Sequence, residues 1–172
     1  MLTLKQLTCP TKVAMVGASN DPTRIGGRPL SYMLQPQFKG VCYPVNPNRD
    51  QVQNTQAYPD IDAIPGDIDY AIIAVPASQV AEAVAKSAQK GAKVALVFSS
   101  GFAEMGGDGV SLQQNLLETA RRHNIRVVGP NCLGLFNAEA HFYATFTSSI
   151  DRALPRPGGV AIASQSGAYG SH

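Results

Sequence analysis

The stretch VAMVGASNDPTRIGG, residues 13–27, joins a short apolar run to a glycine-rich loop. An apolar run that reaches a glycine and then gives way to a helical pattern, here near 27–35, is typical of the first strand, turn and helix of a nucleotide-binding α/β fold. The spacing departs from the dinucleotide fingerprint G-x-G-x-x-G, because Gly17 is followed by Ala18 and Ser19 and the next glycines come only after six further residues. The question is therefore which phosphorylated ligand such a loop would bind.

Further apolar runs alternate with helical patterns along the chain. Residues 78–91, with Ser78 as a candidate N-cap, and residues 110–123 are predicted to be helices. The apolar runs have few polar residues, as expected for strands covered on both faces. The pattern predicts an α/β fold with a Rossmann-like, doubly wound parallel sheet. The predicted strands after the first are 41–45, 70–75, 94–98 and 125–129.

The composition excludes several classes of protein. The 172 residues carry a formal charge of only +2, which is too small to predict a general nucleic-acid surface. No apolar run approaches the length of a membrane span, and the N-terminus lacks the pattern of a signal peptide. The three cysteines form no C-x-x-C pair and the three histidines have no metal-ligand spacing, so no disulfide framework or metal site is predicted. These features indicate a cytoplasmic protein that binds neither nucleic acid nor membrane.

Small, hydroxyl-bearing and amide residues follow all five predicted strands. The carboxyl ends of parallel strands meet at one edge of a sheet, where open α/β folds bind ligands. Small residues let a ligand approach backbone N–H groups, which bind phosphate near a helix N-terminus. Each loop alone is better explained as an ordinary turn, but five of them at one edge favour a binding groove. The loops read GASN, NPN, PAS, SSGFAE and PNCLG.

Two nucleotide-binding modes are disfavoured by the residues at this edge. An NAD domain places an acidic residue after its second strand to bind the ribose, whereas this chain has Asn46 there. No G-x-x-x-x-G-K-[ST] motif is present, which excludes an ATP-binding P-loop. Arg24, Arg28 and Arg49 lie around the same edge and are either phosphate contacts or solvated surface arginines.

The segment GPNCLGLFN, residues 129–137, places the thiol of Cys132 between the amide of Asn131 and Gly134. Cys132 is either inert packing or part of the path of a ligand's reactive end. No histidine or aspartate is spaced to activate it, so no catalytic residue is assigned.

Six short motifs occur in order over nearly the whole chain, and together they resemble the pattern of one family. They are VGAS-x6-GG, YPVNP, AVPAS, FSSGFAE, GPNCLGLFN and VAIASQSGA. The chain is similar to the N-terminal region of NDP-forming acyl-CoA synthetases, which include the ADP-forming acetate–CoA ligases and are related to the alpha subunit of succinyl-CoA synthetase.

The resemblance implies that the groove binds coenzyme A or an acyl-CoA. Coenzyme A contains a 3′-phosphorylated ADP, so its site needs a phosphate loop without the acidic residue of an NAD domain. Asn131 and Cys132 would lie toward the thiol end. The other residues that the resemblance assigns to the groove are Gly17, Ala18, Ser19, Asn20, Arg24, Gly26, Val45, Asn46, Val75, Pro76, Ser99, Ser100 and Gly101.

The resemblance also implies a division of the chain into three parts. Residues 1–136 would be the CoA-binding domain and 137–158, which are polar and proline-rich, a linker. Residues 159–172 would be the truncated start of a second, flavodoxin-like domain, with its first strand at 159–164. Ser166, Gly167 and Ala168 would begin a helix whose N-terminus holds the phosphohistidine of the family.

The full-length protein would then be an acid–thiol ligase, and this chain alone is expected to be inactive. The phosphorylated histidine lies beyond residue 172 in the family pattern, and ATP or ADP and Mg²⁺ would be bound by regions outside this chain. The implied partners are the remaining domains of the same synthetase or a partner subunit.

Three other functions compete with this interpretation. The same architecture heads some protein lysine acetyltransferases as a regulatory region, and only sequence after residue 172 would separate the two. A free-standing CoA-binding protein is disfavoured because SQSGAYGSH reads as a half-finished strand-to-helix turn. An NAD(P)-dependent oxidoreductase is disfavoured by the loop that contains Asn46.

Overall fold

The computed structural model describes residues 3–167. Its four helices, which include short ones, are α1 (Leu4–Thr8), α2 (Arg28–Met33), α3 (Ala77–Gln89) and α4 (Asp108–Arg122). Its strands are β1 (Lys12–Val16), β2 (Val41–Val45), β3 (Gln51–Val52), β4 (Thr55–Gln56), β5 (Tyr70–Ile73), β6 (Val94–Val97), β7 (Arg126–Val128), β8 (Gly134–Asn137) and β9 (Phe142–Thr145). Short 3₁₀ turns occupy Ala103–Met105 and Ser149–Asp151.

The predicted parallel sheet is confirmed, with the strand order β2-β1-β5-β6-β7. Val16 at the end of β1 lies opposite Val45 of β2 and Ile73 of β5. Ile73 in turn lies opposite Val97 at the end of β6. The strands therefore end in register along one edge. The order reverses between β1 and β5, which is the switch point where ligands bind in open α/β sheets.

Helices α3 and α4 cover one face of the sheet. Alternate residues of the central strands, such as Val16 and Ile73, point to this face and pack with Val80 and Val84 of α3. The helix starts at Ala77 with Pro76 as its N-cap, so the prediction of Ser78 as the N-cap is wrong. Proline suits this position because its fixed φ and missing N–H are tolerated at a helix start.

The second face is covered by α2 and the antiparallel hairpin β8–β9. All four residues of β9 are buried, and the Phe142 ring packs edge-on to Tyr70 at 5.3 Å between centroids. The expectation of a linker from residue 137 thus differs from the structure, since β9 belongs to the core of the domain. The strand could not be recognised from the sequence FYAT, because both of its faces are buried and its residues therefore do not alternate between apolar and polar. The remaining domain boundaries stay a prediction.

Residues 159–164 form no strand, in contrast to the sequence-based expectation. The side chains of Val160 and Ile162 are 86% and 83% exposed. A strand needs a partner for its backbone groups, and none pairs with this segment among residues 3–167. The apolar pattern alone could not supply that partner.

Tyr70 leads to a first prediction about stability. Its side chain is fully buried, yet its hydroxyl finds no hydrogen-bond partner within residues 3–167, and burial raises its pKa above the ordinary value. Removing an unsatisfied buried hydroxyl is neutral or stabilising. We expect Tyr70→Phe to leave the free energy of unfolding unchanged or to raise it by about 1 kcal/mol in a urea titration.

Tyr32→Phe provides the matched control. The single O–H of Tyr32 lies within hydrogen-bonding distance of two acceptors, the carboxylate of Asp151 and the Thr147 carbonyl at 3.1 Å. Its loss should lower the free energy of unfolding by about 1 kcal/mol. If Tyr70→Phe were as destabilising as Tyr32→Phe, the Tyr70 hydroxyl would have a partner after all.

Candidate functional site

The predicted loops meet at the carboxyl edge of the sheet. Gly17, Asn46 and Ala74 directly follow three residues that lie opposite one another at the ends of β1, β2 and β5. The N–H groups of Gly17 and Ala18 both donate to the Val45 carbonyl at 3.1 Å. The ends of β1 and β2 are thereby tied together beneath the glycine-rich loop.

Glycine is required where this loop leaves β1. Gly17 has a φ of +85°, and a Cβ there would lie 2.4 Å from the Ala74 carbonyl oxygen. A Cβ on Gly26 would lie 2.0 Å from the Gly17 carbonyl oxygen. The loop therefore folds back on itself with backbone against backbone across the switch point. Such close approach leaves room for a ligand to contact main-chain N–H groups.

Both ends of the Asn46 side-chain amide contact the protein's own backbone. Its Nδ2 donates to the Ala18 carbonyl at 2.9 Å, and its Oδ1 accepts from the N–H of Asn48 at 2.9 Å. The position that holds the acidic residue of an NAD domain thus braces the loop instead. This geometry agrees with the sequence argument against NAD.

The far part of the loop is held by local polar contacts. The Ser19 N–H donates to the Gly26 carbonyl at 3.2 Å, and the Ser19 hydroxyl accepts from the N–H of Asp21 at 3.1 Å. Hydrogen bonds from the Thr23 side chain and N–H, together with the nearby Arg24, hold the pKa of Asp21 below its ordinary value. The Arg24 side chain is 75% exposed, so it stays available to a ligand phosphate at the loop tip.

The predicted arginines separate in the structure. Arg28 Nη1 lies 3.1 Å from Asp151 Oδ2, and the Arg28 side chain is only 13% exposed. The ion pair directs Arg28 to the segment after β9 rather than to the edge loops. Arg49 is exposed.

The N-terminus of α3 lies beside the loop that follows β1. A Cβ on Gly17 would lie 3.2 Å from Cγ1 of Val75, which directly precedes the N-cap Pro76. No side chain caps the helix. The first N–H groups of an α-helix have no partner within the helix and carry a partial positive charge. A thirteen-residue helix that starts at the switch point therefore offers an anion site.

The loops after β6 and β7 complete the edge. The Ser99 hydroxyl donates to the Val75 carbonyl at 2.5 Å, and the Asn131 N–H donates to the Ser99 carbonyl at 2.9 Å. Gly101 has a φ of +101° and lies against Ala77 at the start of α3. Ser100 beside it is exposed. These contacts bring the last two of the five predicted loops to the same groove.

The Gly101 N–H is occupied by a side chain of the protein itself. It donates to Glu104 Oε1 at 2.7 Å. This bond, followed by contributions from the N–H groups of Glu104 and Phe102, holds the pKa of Glu104 below its ordinary value. The turn after β6 is thus filled by the chain's own carboxylate.

Cys132 is half-buried beside the end of β6. Its thiol donates to the Val97 carbonyl at 3.4 Å, and burial raises its pKa. A thiol with a raised pKa stays protonated near neutral pH and is a poor nucleophile. The geometry therefore agrees with a lining residue rather than a catalytic one.

Ser166 and Gly167, which the sequence analysis assigns to a phosphate pocket, lie near the same loops. A Cβ on Gly167 would come within 3.4 Å of the Leu133 Cβ, next to Cys132. The Ser166 N–H donates to the Ser164 hydroxyl at 3.1 Å in a turn. Ala168 lies outside the described residues, so the helix expected to start here stays a prediction.

Gln53 was missed by the sequence analysis. It lies in the turn between β3 and β4, and its side-chain amide donates to the carbonyls of Ser19 and Gly27, both at 2.9 Å. No sequence signal marks this contact, because it joins residues 34 and 26 positions apart in a region without regular pattern.

Another cleft lies at the amino edge of the sheet, far from these loops. It has a volume of about 320 Å³, and its lining includes Cys9, Thr11, Phe38, Lys39 and His141. Within residues 3–167 no group of three or more His, Cys, Asp or Glu side chains could hold a metal ion. In the same part of the chain, no helix has the length and apolar character needed to cross a membrane.

Proteins of known family share the sequence of this chain. The family model described as CoA binding domain matches residues 11–138. An ADP-forming acetate–CoA ligase II from Archaeoglobus fulgidus is 40% identical over 166 residues, which cover 96% of this chain and 24% of that protein. The alpha subunit of ADP-forming acetate–CoA ligase II from Pyrococcus furiosus is 37% identical over 162 residues, covering 94% of this chain and 34% of the subunit.

A solved structure shares the fold over nearly the whole chain. A crystal structure of a Pyrococcus horikoshii OT3 protein superimposes with a TM-score of 0.88 at 35% identity, covering 98% of this chain and 38% of that one. The chain thus spans between 24% and 34% of the two curated relatives named above. Both relatives are acetate–CoA ligases, and they give no support to the acetyltransferase alternative.

Proposed function

This chain belongs to the CoA binding domain family, and from that premise we propose that its carboxyl-edge groove binds coenzyme A as the N-terminal part of an ADP-forming acyl-CoA synthetase. The observation that carries the proposal is the convergence of the glycine-rich loop and the start of α3 at the switch point of the sheet. Together they place the positive end of a helix beside a loop of small residues that lets an anion come close.

Each part of coenzyme A has a region of the groove suited to it. The diphosphate would bind between the loop of residues 17–27 and the N-terminus of α3, because the helix start offers N–H donors and the small residues of the loop let a phosphate approach them. The pantetheine arm would run past Ser99 and Gly101 toward Cys132, where the loops after β6 and β7 meet. Small side chains at these positions leave space for an extended arm.

The protein's own residues bind and orient, and they carry out no chemical step. Coenzyme A supplies a thiol that accepts an acyl group. The groove would hold that thiol near Cys132, whose raised pKa keeps it protonated and out of competition. The acyl donor, the phosphohistidine, ATP or ADP and Mg²⁺ would be bound by the remaining domains or by a partner subunit. Two named relatives are ADP-forming acetate–CoA ligases, and one of them is an alpha subunit.

The cellular setting proposed for the protein is the cytoplasm. Cys9, Cys42 and Cys132 are all free thiols. Burial raises the pKa of Cys42 to about 12. Unpaired cysteines are ordinary in a reducing compartment, where disulfides are rare.

Calorimetric titration of the chain with coenzyme A, dephospho-CoA and NAD tests the proposal. We expect coenzyme A to bind, dephospho-CoA to bind more weakly because it lacks the 3′-phosphate, and NAD to give no heat. Binding of NAD in preference to coenzyme A would overturn the proposal. Ligase activity is tested separately in the full-length protein, by formation of ADP from ATP that depends on both coenzyme A and a carboxylic acid.

A further inference from the structure

Gln53 lies outside the edge loops, in a hairpin turn that reaches over them. Gln53 and Asn54 have φ angles of 50° and 60°, as in a tight two-residue turn between β3 and β4. Val52, directly before the turn, is fully buried in the core that faces α2. The turn is therefore fixed to the domain and can act as a rigid support.

Three hydrogen bonds join Gln53 to the glycine-rich loop. Its backbone N–H donates to Asn20 Oδ1 at 2.7 Å. Its side-chain Nε2 donates to the Ser19 carbonyl and to the Gly27 carbonyl, both at 2.9 Å. One side chain thus holds the two ends of the segment 19–27, and the backbone bond adds a third point.

The loop depends on this support because its middle is exposed. Residues 20–25 are exposed throughout, and the bonds that close the loop from within are local, such as those from the Ser19 N–H to the Gly26 carbonyl and from the Gly27 N–H to the Arg24 carbonyl. A loop contributes well to a phosphate site only if it is already ordered, because ordering a loose loop costs binding free energy. An outside clamp reduces that cost.

We propose that Gln53 is a positioning residue that holds the segment 19–27 in the conformation that binds the diphosphate of coenzyme A. The inference rests on the function proposed above. Gln53 touches no part of the ligand in this account. It acts by keeping the Ser19 and Gly27 carbonyls turned toward itself, so that the loop keeps one conformation beside the N-terminus of α3.

The test compares Gln53→Met with Gln56→Met. Methionine has a length and volume similar to glutamine but donates no hydrogen bond. Gln56 is exposed on β4 of the same hairpin, so its replacement controls for a change of residue type nearby. Calorimetry with coenzyme A, dephospho-CoA and pantetheine gives the affinities, and thermal unfolding of the free proteins reports on folding.

We expect Gln53→Met to weaken the binding of coenzyme A and of dephospho-CoA by the same factor, about tenfold. Pantetheine, which has no diphosphate, should bind both proteins equally, and Gln56→Met should bind every ligand like the parent. If the role of Gln53 were purely structural, Gln53→Met would weaken the binding of all three ligands by the same factor or change only the melting temperature. Either of those results, or unchanged coenzyme A affinity in Gln53→Met, would overturn the inference.

Two further readings keep the test decisive. If the parent chain itself failed to bind coenzyme A, the proposed function would fall first, and Gln53 would not be the cause. If Gln53→Met did not fold, amide hydrogen exchange of the parent decides instead. Saturating coenzyme A should then slow exchange of the Gln53 N–H, and an unchanged rate would contradict the clamp.

Discussion

Gly17→Ala is expected to be among the most damaging single substitutions in the chain. A Cβ at this position would lie 2.4 Å from the Ala74 carbonyl oxygen, and the φ of +85° is unfavourable for any residue with a side chain. Gly17 directly follows β1 and Ala74 directly follows β5, so neither residue can move without disturbing the sheet. We expect the free energy of unfolding, measured by urea titration, to fall by about 3–5 kcal/mol.

Gly66→Ala separates the cost of the steric clash from the cost of the positive φ. Gly66 also has a positive φ, +72°, but among the described residues no heavy atom lies within 4 Å of the place that a Cβ would take. It should therefore lose only the cost of the backbone conformation, about 1 kcal/mol. Equal losses for the two variants would show that the close approach of the loop to Ala74 does not exist.

Ser19→Asp is expected to have the largest effect on binding without unfolding the protein. Ser19 lies in the loop proposed to hold the diphosphate, and its hydroxyl already accepts a hydrogen bond from the N–H of Asp21. An aspartate can keep that bond, but it adds a negative charge beside the ligand's phosphates. Like charges in close contact cost binding free energy, so we expect the Kd for coenzyme A to rise at least about tenfold.

Ser19→Asn is the matched control for charge. Asparagine has nearly the shape of aspartate and also accepts a hydrogen bond, but it is neutral. The Kd of Ser19→Asn for coenzyme A should stay close to that of the parent. Raised salt should reduce the difference in Kd between Ser19→Asp and the parent, because salt screens the repulsion between charges. Equal affinities of Ser19→Asp and the parent would show that the diphosphate binds elsewhere.

The sequence was sufficient for those parts of the fold that repeat a simple pattern. Continuous apolar runs such as 70–75 predict buried parallel strands, and all five predicted strands exist in one parallel sheet. The edge that carries the candidate site could be chosen from the same runs, because parallel strands place the residues after them at one edge. Gly17, Asn46 and Val75 could therefore be selected from the sequence alone.

The features that the sequence did not reveal depend on contacts between distant segments. β9 looks like part of a polar linker, because its burial depends on the rings of Phe38 and Tyr70 that meet Phe142. Gln53 looks like an ordinary turn residue until the hairpin folds over the loop. The strand expected at 159–164 has the right pattern but no pairing partner within residues 3–167.

The central claim, that coenzyme A binds at the carboxyl edge of the sheet, is tested most directly by amide chemical-shift mapping of the isotope-labelled chain. Addition of coenzyme A should shift the N–H signals of residues 17–20, 77–79 and 99–101 most strongly. Signals at the amino edge, from Thr11, Lys39 and Gly40, should stay unchanged. The largest shifts around the amino-edge cleft, with the carboxyl-edge loops unmoved, would contradict the account.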